Sequence, residues 1–321
     1  MNDTLKKATA AVLMALALVG ARGLGNRTLC EGFLPENGMM IPVGDVHAAG
    51  IGEDGFKSVL DRVEQVYGPI VAAKGGTLKV NRLWENATVN ASAQQSGADW
   101  IINMYGGLAR HAAITREGFA LVACHEIGHH IGGYPKMSWA TNEGGADYFA
   151  TLKCLRLVLP SGAPAGEVDP VADSACSGTF GDAGAQNGCR NNALAGQSVA
   201  FLFQALRNSP TPPKFGTPDA SVVTRMNNAH PDTQCRLDTY FQGALCTAST
   251  GTDVDNADPS KGACTRKGGQ QLGLRPRCWY KPPADEPSGA PSMASRPELP
   301  EAEAISRRIE ALREALSGHG V

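Results

Sequence analysis

Apolar and polar residues alternate along this chain with two different periods. Phe56, Val59, Leu60, Val63, Val66 and Tyr67 recur every three or four positions, which predicts an amphipathic helix ended by Gly68-Pro69. From Leu78 the period shortens to two, and strands are predicted over residues 78–83, 87–93 and 100–105. A helical run then starts at Thr115, a residue with the chemistry of an N-cap, and stops at Gly132, Gly133 and Pro135. Thr141 or Asn142 can cap the next helix, which runs to Leu157 or Leu159. Residues 160–189, crowded with Gly, Ala, Asp and Ser, read as a long surface loop. An amphipathic helix is predicted over residues 192–206, followed by a Pro-rich break over 210–218. These elements predict an α+β fold, mainly α, with a small sheet beside its central helix.

Chemistry concentrates on that central helix. At about 100° per residue, His125 and His129 stand about 40° apart and Glu126 about 60° from His129. This is the H-E-x-x-H arrangement, in which two imidazoles hold zinc and the carboxylate between them serves as general base. His130, about 140° round from His125, is not expected to join them. Glu143, fourteen residues past His129, is the expected third ligand, brought back by a helical hairpin. Asp147 lies one turn further on the same face, suited to a hydrogen bond to a ligand imidazole. Gly144, Gly145, Ala146 and Ala150 keep the second helix thin enough for the two to share one ion.

The run His125-Glu126-Ile127-Gly128-His129 followed by Glu143-Gly144-Gly145-Ala146-Asp147-Tyr148-Phe149-Ala150 resembles the family of HtpX heat-shock proteases and CaaX prenyl proteases. That family carries HExxH, then E-x-x-A-D-x-x-A, then a His-Pro segment ending in Arg. The third mark is matched by His230-Pro231 and Arg236. The similarity covers roughly residues 50–246, with a shorter gap between His129 and Glu143 and without that family's membrane helices. It implies a zincin-like metallopeptidase, with His230 near the metal and Arg236 supporting the site by pairing with Asp147. A donor placed as His230 would be could hold the oxyanion of a tetrahedral intermediate.

The two ends differ from this middle. Residues 1–21 read as a signal peptide, with Lys6 and Lys7 ahead of a short apolar stretch and a cleavage site near Ala21. Residues 22–50 look irregular. Residues 247–280 form a Cys-containing appendage, 281–300 a Pro-rich linker, and 301–321 a charged amphipathic helix. Nine cysteines without a CxxC pair fit an exported protein with a disulfide framework and one cysteine left over. Cys124 is expected as a core thiol or bridged to Cys154, and Cys176 with Cys189 staples the 160–189 segment. An unbroken helix would keep Cys235 and Cys246 about 16 Å apart, so each would then pair elsewhere.

With 321 residues and a net charge of −2, the balance offers nothing to nucleic acid or anionic lipid. The expected protein is a secreted or periplasmic zinc endopeptidase with one Zn²⁺ per chain, acting on peptide or protein substrates. Glu126 and His230 are the expected catalytic residues, and His125, His129 and Glu143 the metal ligands. The alternative is a catalytically weak zinc-fold module that binds proteins or acts as a chaperone. The sheet strand just ahead of the central helix is expected to offer its edge to an extended peptide.

Overall fold

The computed structural model describes residues 32–287; the expected signal peptide and C-terminal helix lie outside them. Helix α1 (Glu53–Ala73) leads into a three-stranded sheet of β1 (Thr77–Leu83), β2 (Ala91–Ser96) and β3 (Asp99–Tyr105). Their spatial order is β1-β3-β2, with β1 parallel and β2 antiparallel to β3. A tight turn at Gly97, where φ is +60°, joins β2 to β3. After the short α2 (Gly106–Arg110) comes α3 (Arg116–Ile131), the central helix. A two-stranded hairpin, β4 (Lys136–Met137) and β5 (Ala140–Thr141), then leads to α4 (Glu143–Phe149). The helical path continues through a π-turn at Ala150–Cys154 into α5 (Leu155–Val158). Three more helices follow: α6 (Pro170–Thr179), α7 (Ala183–Leu206) and α8 (Thr233–Leu245). The architecture is α+β and mainly helical. Among the described residues no helix is long and apolar enough to cross a membrane.

Helix α3 is buried on every side from Gly118 to His130, as expected of a helix packed between a sheet and other helices. Thr115 caps it by accepting a hydrogen bond from the Gly118 amide at 3.1 Å. Phe56, Leu60, Ile102, Met104 and Phe119 form the core between α1, the sheet and α3. A second core joins α6, α7 and α8, and a third packs Trp279 and Tyr280 against Tyr148 and Leu152. Residues 247–287 therefore lie directly on α4 and α8.

The structure departs from the sequence reading at several points. Helix α1 runs through Gly68-Pro69 to Ala73, because the amide lost at Pro69 and the carbonyl it would serve both lie on the exposed side. The second strand starts at Ala91, since residues 87–89 pair instead with 39–41. Within 160–189, α6 forms and α7 begins nine residues before the expected start at 192. The local signals are an Asp169 cap followed by Pro170 at the first turn, and Asp182 accepting from the Ala185 amide at 2.8 Å. Ala and Ser there serve close packing, with Ala172 and Cys176 buried one turn apart. Strand β3, expected to offer a free edge, is the middle strand, and the edges belong to β1 and β2.

Four disulfides join Cys124 to Cys154, Cys176 to Cys189, Cys235 to Cys278 and Cys246 to Cys264. Helix α8 is unbroken, so Cys235 and Cys246 do pair elsewhere, and both bridges fasten residues 264–278 to it. The site helix α4 touches this layer through Gly144, where an added Cβ would fall inside the Trp279 ring. Gly144→Ala should therefore destabilise the fold by about 1–3 kcal/mol, measured as a lower denaturant midpoint. An unchanged midpoint would show that Trp279 moves aside freely.

Candidate functional site

Helices α3 and α4 cross where Gly128 meets Ala146, a contact that leaves no room for a side chain at 128. Asn142 sets the start of α4 by accepting from the Gly145 amide at 2.9 Å. The crossing brings Glu143 against both histidines of α3. Its carboxylate oxygens lie 3.3 Å from His125 Nε2 and 3.7 Å from His129 Nε2.

The remaining ring nitrogens fix the tautomers. His125 Nδ1 donates to Asp147 Oδ1 at 2.7 Å, and His129 Nδ1 donates to the Thr141 carbonyl at 2.8 Å. In the neutral rings both Nε2 lone pairs then face Glu143. Neither Nε2 nor Glu143 Oε2 has a hydrogen-bond partner, although all are buried. Converging acceptors in a dry site are costly unless a cation or a proton lies among them. Four ligands about 2.0–2.2 Å from a tetrahedral zinc stand roughly 3.3–3.6 Å from one another. The ligand atoms of His125, His129 and Glu143 all lie within 4.8 Å of each other, so this donor set fits such an ion.

Asp147 anchors the arrangement. Its Oδ1 also accepts from Arg236 Nη2 and Tyr240 Oη, each at 2.7 Å, and its Oδ2 accepts from Arg236 Nε at 2.8 Å. Arg236 sends its Nη1 to the Phe33 carbonyl at 2.9 Å, with its guanidinium over the Phe33 and Phe203 rings. Phe33 in turn sets its ring against His125, centroids 4.9 Å apart. Arg236 pairs with Asp147 as the sequence reading expected. Tyr240, Phe33 and the Thr141 carbonyl were not anticipated. Tyr240 follows Arg236 by one helical turn, which was a usable signal. A backbone carbonyl leaves none.

Charge in the centre follows from this burial. Burial opposes protonation of His125, but the Asp147 and Glu143 carboxylates override it and raise its pKa to about 9. Burial likewise opposes ionisation of Glu143, yet the surrounding histidines hold it well below the ordinary carboxylate range. His129 goes the other way, its pKa lowered to about 4 chiefly by burial. Glu126 sits next to them with neither oxygen partnered, and burial pushes its pKa up to about 8. A carboxyl titrating near neutrality can take up and release a proton in one cycle.

His230 comes to the same place. Its Nε2 donates to the Gly32 carbonyl at 2.8 Å and lies 3.4 Å from Glu143 Oε2. All seven residues singled out in the sequence therefore gather around one centre. His130 stays apart, its Nε2 donating to the Ile101 carbonyl at 3.3 Å and its ring stacked on Trp100. No family model, curated protein or solved structure matches the chain, so its geometry alone characterises the site.

His130 also gives the fold a measurable acid response. Burial holds its pKa at about 3, against an ordinary 6.5. Between those values the unfolded chain binds a proton that the folded chain refuses. Stability is therefore lost as pH falls through this window, at up to about 1.4 kcal/mol per pH unit from this group. His130→Phe should keep the aromatic stack and flatten the slope between about pH 5 and 6 by that amount, measured by urea unfolding. An unaltered slope would show that His130 protonates within the fold.

Proposed function

We propose that this protein is a zinc-dependent endopeptidase acting on peptide or protein substrates outside the cytoplasm. The observation that carries this reading is the convergence of His125 Nε2, His129 Nε2 and Glu143 beside the buried, unpartnered carboxylate of Glu126. His125, His129 and Glu143 would hold the ion. A zinc so held polarises a peptide carbonyl and lowers the pKa of water near neutrality.

The protein's own groups supply the remaining chemistry. Glu126, poised near neutrality, takes the proton from the attacking water and returns it to the leaving amine. His230 carries a proton on Nε2 beside Glu143 and can present it to the developing oxyanion. Asp147, pinned by Arg236 and Tyr240, keeps the His125 lone pair aimed at the ion. Strand β2 packs over α3 and suits an extended peptide. Ala91 turns its carbonyl to the outer edge, where Phe33 N–H meets it at 2.8 Å, and by alternation Ala93 and Gln95 face the same edge. The four disulfides fit an oxidising, exported setting.

Metal analysis of the purified protein should find about one zinc per chain, lost in His129→Ala and kept in His130→Ala. Zinc retained by His129→Ala would overturn the ligand set. Peptide-library cleavage should stop with chelator. Glu126→Gln should keep its zinc while kcat falls by about 10²–10⁴-fold, and His230→Ala should lower kcat by about a hundredfold. Peptide turnover that survives in Glu126→Gln would rule out the general-base role. Zinc-loaded protein with no turnover of any peptide would instead mark a binding module.

A further inference from the structure

A second concave site shares no residue with the histidine centre. It lies between α8, the 215–221 loop and residues 264–287. Its volume is about 200 Å³, room for six or seven water molecules at ~30 Å³ each. Phe215, Phe241 and Tyr280 contribute apolar surface to it. The charges divide between its two walls. Asp219 and Asp238 stand on the loop and α8, while Arg275 and Arg277 stand on the C-terminal segment.

Their hydrogen bonds do not close across the gap. Asp238 is only 9% exposed, and its carboxylate accepts from Gln234 Nε2 at 2.8 Å and from the Asp219 amide at 2.7 Å. Asp219 Oδ1 accepts only from the Ser221 amide at 2.8 Å. No described cation pairs with either acid, and burial pushes the Asp238 pKa up to about 6. On the other wall, Arg275 Nε, Arg277 Nε and the Tyr280 hydroxyl are buried without a partner. Arg275 spends its Nη1 on the Pro259 carbonyl at 2.9 Å and lies over the Tyr280 ring. A metal is excluded here, because Cys235 and Cys278, the other candidate ligands near Asp219, are bonded to each other.

A wall of acids without a cation, a wall of donors without an acceptor and an apolar surface between them describe a complementary ligand. We propose that this cleft binds a small zwitterion, a free amino acid or dipeptide with an apolar side chain. Its ammonium faces Asp219 and Asp238, its carboxylate faces Arg275, Arg277 and the Tyr280 hydroxyl, and its side chain lies on Phe215 and Phe241. Such a ligand supplies each unpaired group with its opposite and places its apolar body where a small-molecule site needs it. The proposal does not depend on peptidase activity.

Isothermal titration of the full chain with L-phenylalanine tests it, alongside N-acetyl-phenylalanine and phenylalaninamide, which each lack one charge. Saturable binding of the zwitterion is expected, with each blocked form weaker by about tenfold or more. Arg277→Gln, at a half-buried position, should weaken L-phenylalanine and N-acetyl-phenylalanine but leave the amide unaffected. No saturable binding up to about 10 mM would overturn the proposal, as would equal affinity for all three ligands. Undiminished binding to Arg277→Gln would place the ligand elsewhere and have the same consequence.

Discussion

The carboxylate of Asp147 holds the site together. It is fully buried and accepts four hydrogen bonds, two from Arg236, one from His125 and one from Tyr240. A buried ion pair stabilises only when its remaining donors and acceptors are also satisfied. Here Arg236 passes its third bond to the Phe33 carbonyl, and Tyr240 occupies the position that water would otherwise take. Three helices and the chain ahead of α1 thereby meet at one side chain. The same carboxylate decides which nitrogen of His125 carries hydrogen, so fold and chemistry share a determinant.

Much of this centre could be read from spacing, because helices convert spacing into angle. His125, Glu126 and His129 fall on one side of α3, and Glu143 and Asp147 on one side of α4, as 3.6 residues per turn requires. The crossing itself was visible in Gly128 and the small residues after Glu143, which admit close approach. What spacing does not encode is backbone. The Thr141 carbonyl that orients His129 depends on a hairpin with Ser138 at φ +53°, and no residue type announces it. Phe33 stood in a stretch without periodicity, and its role comes from Arg236 on a distant helix. Pro69 and the Ala-rich start of α7 misled for a related reason: local propensity was outweighed by solvent exposure in one case and by caps in the other.

Around the centre the molecule is layered by function. The sheet and α1 cover one side of α3 and bury it completely, which leaves its histidines dependent on protein partners for every hydrogen bond. On the other side, residues 247–287 are bridged to α8 at both of its ends and press Trp279 onto Gly144, beside Glu143. The C-terminal layer thus reaches the ligand helix through one glycine, while keeping its own cleft separate.

The bond between the Phe33 carbonyl and Arg236 spans 203 residues of sequence. A chain emerging from the ribosome exposes Phe33 long before Arg236 exists, and closing so long a loop is slow. Throughout that interval Asp147 and His125 can be in place without the guanidinium that balances them. The centre is therefore completed late in synthesis, after α8 has docked. A truncated product ending before α8 would contain H-E-x-x-H and Glu143, yet it would lack the cation beneath them.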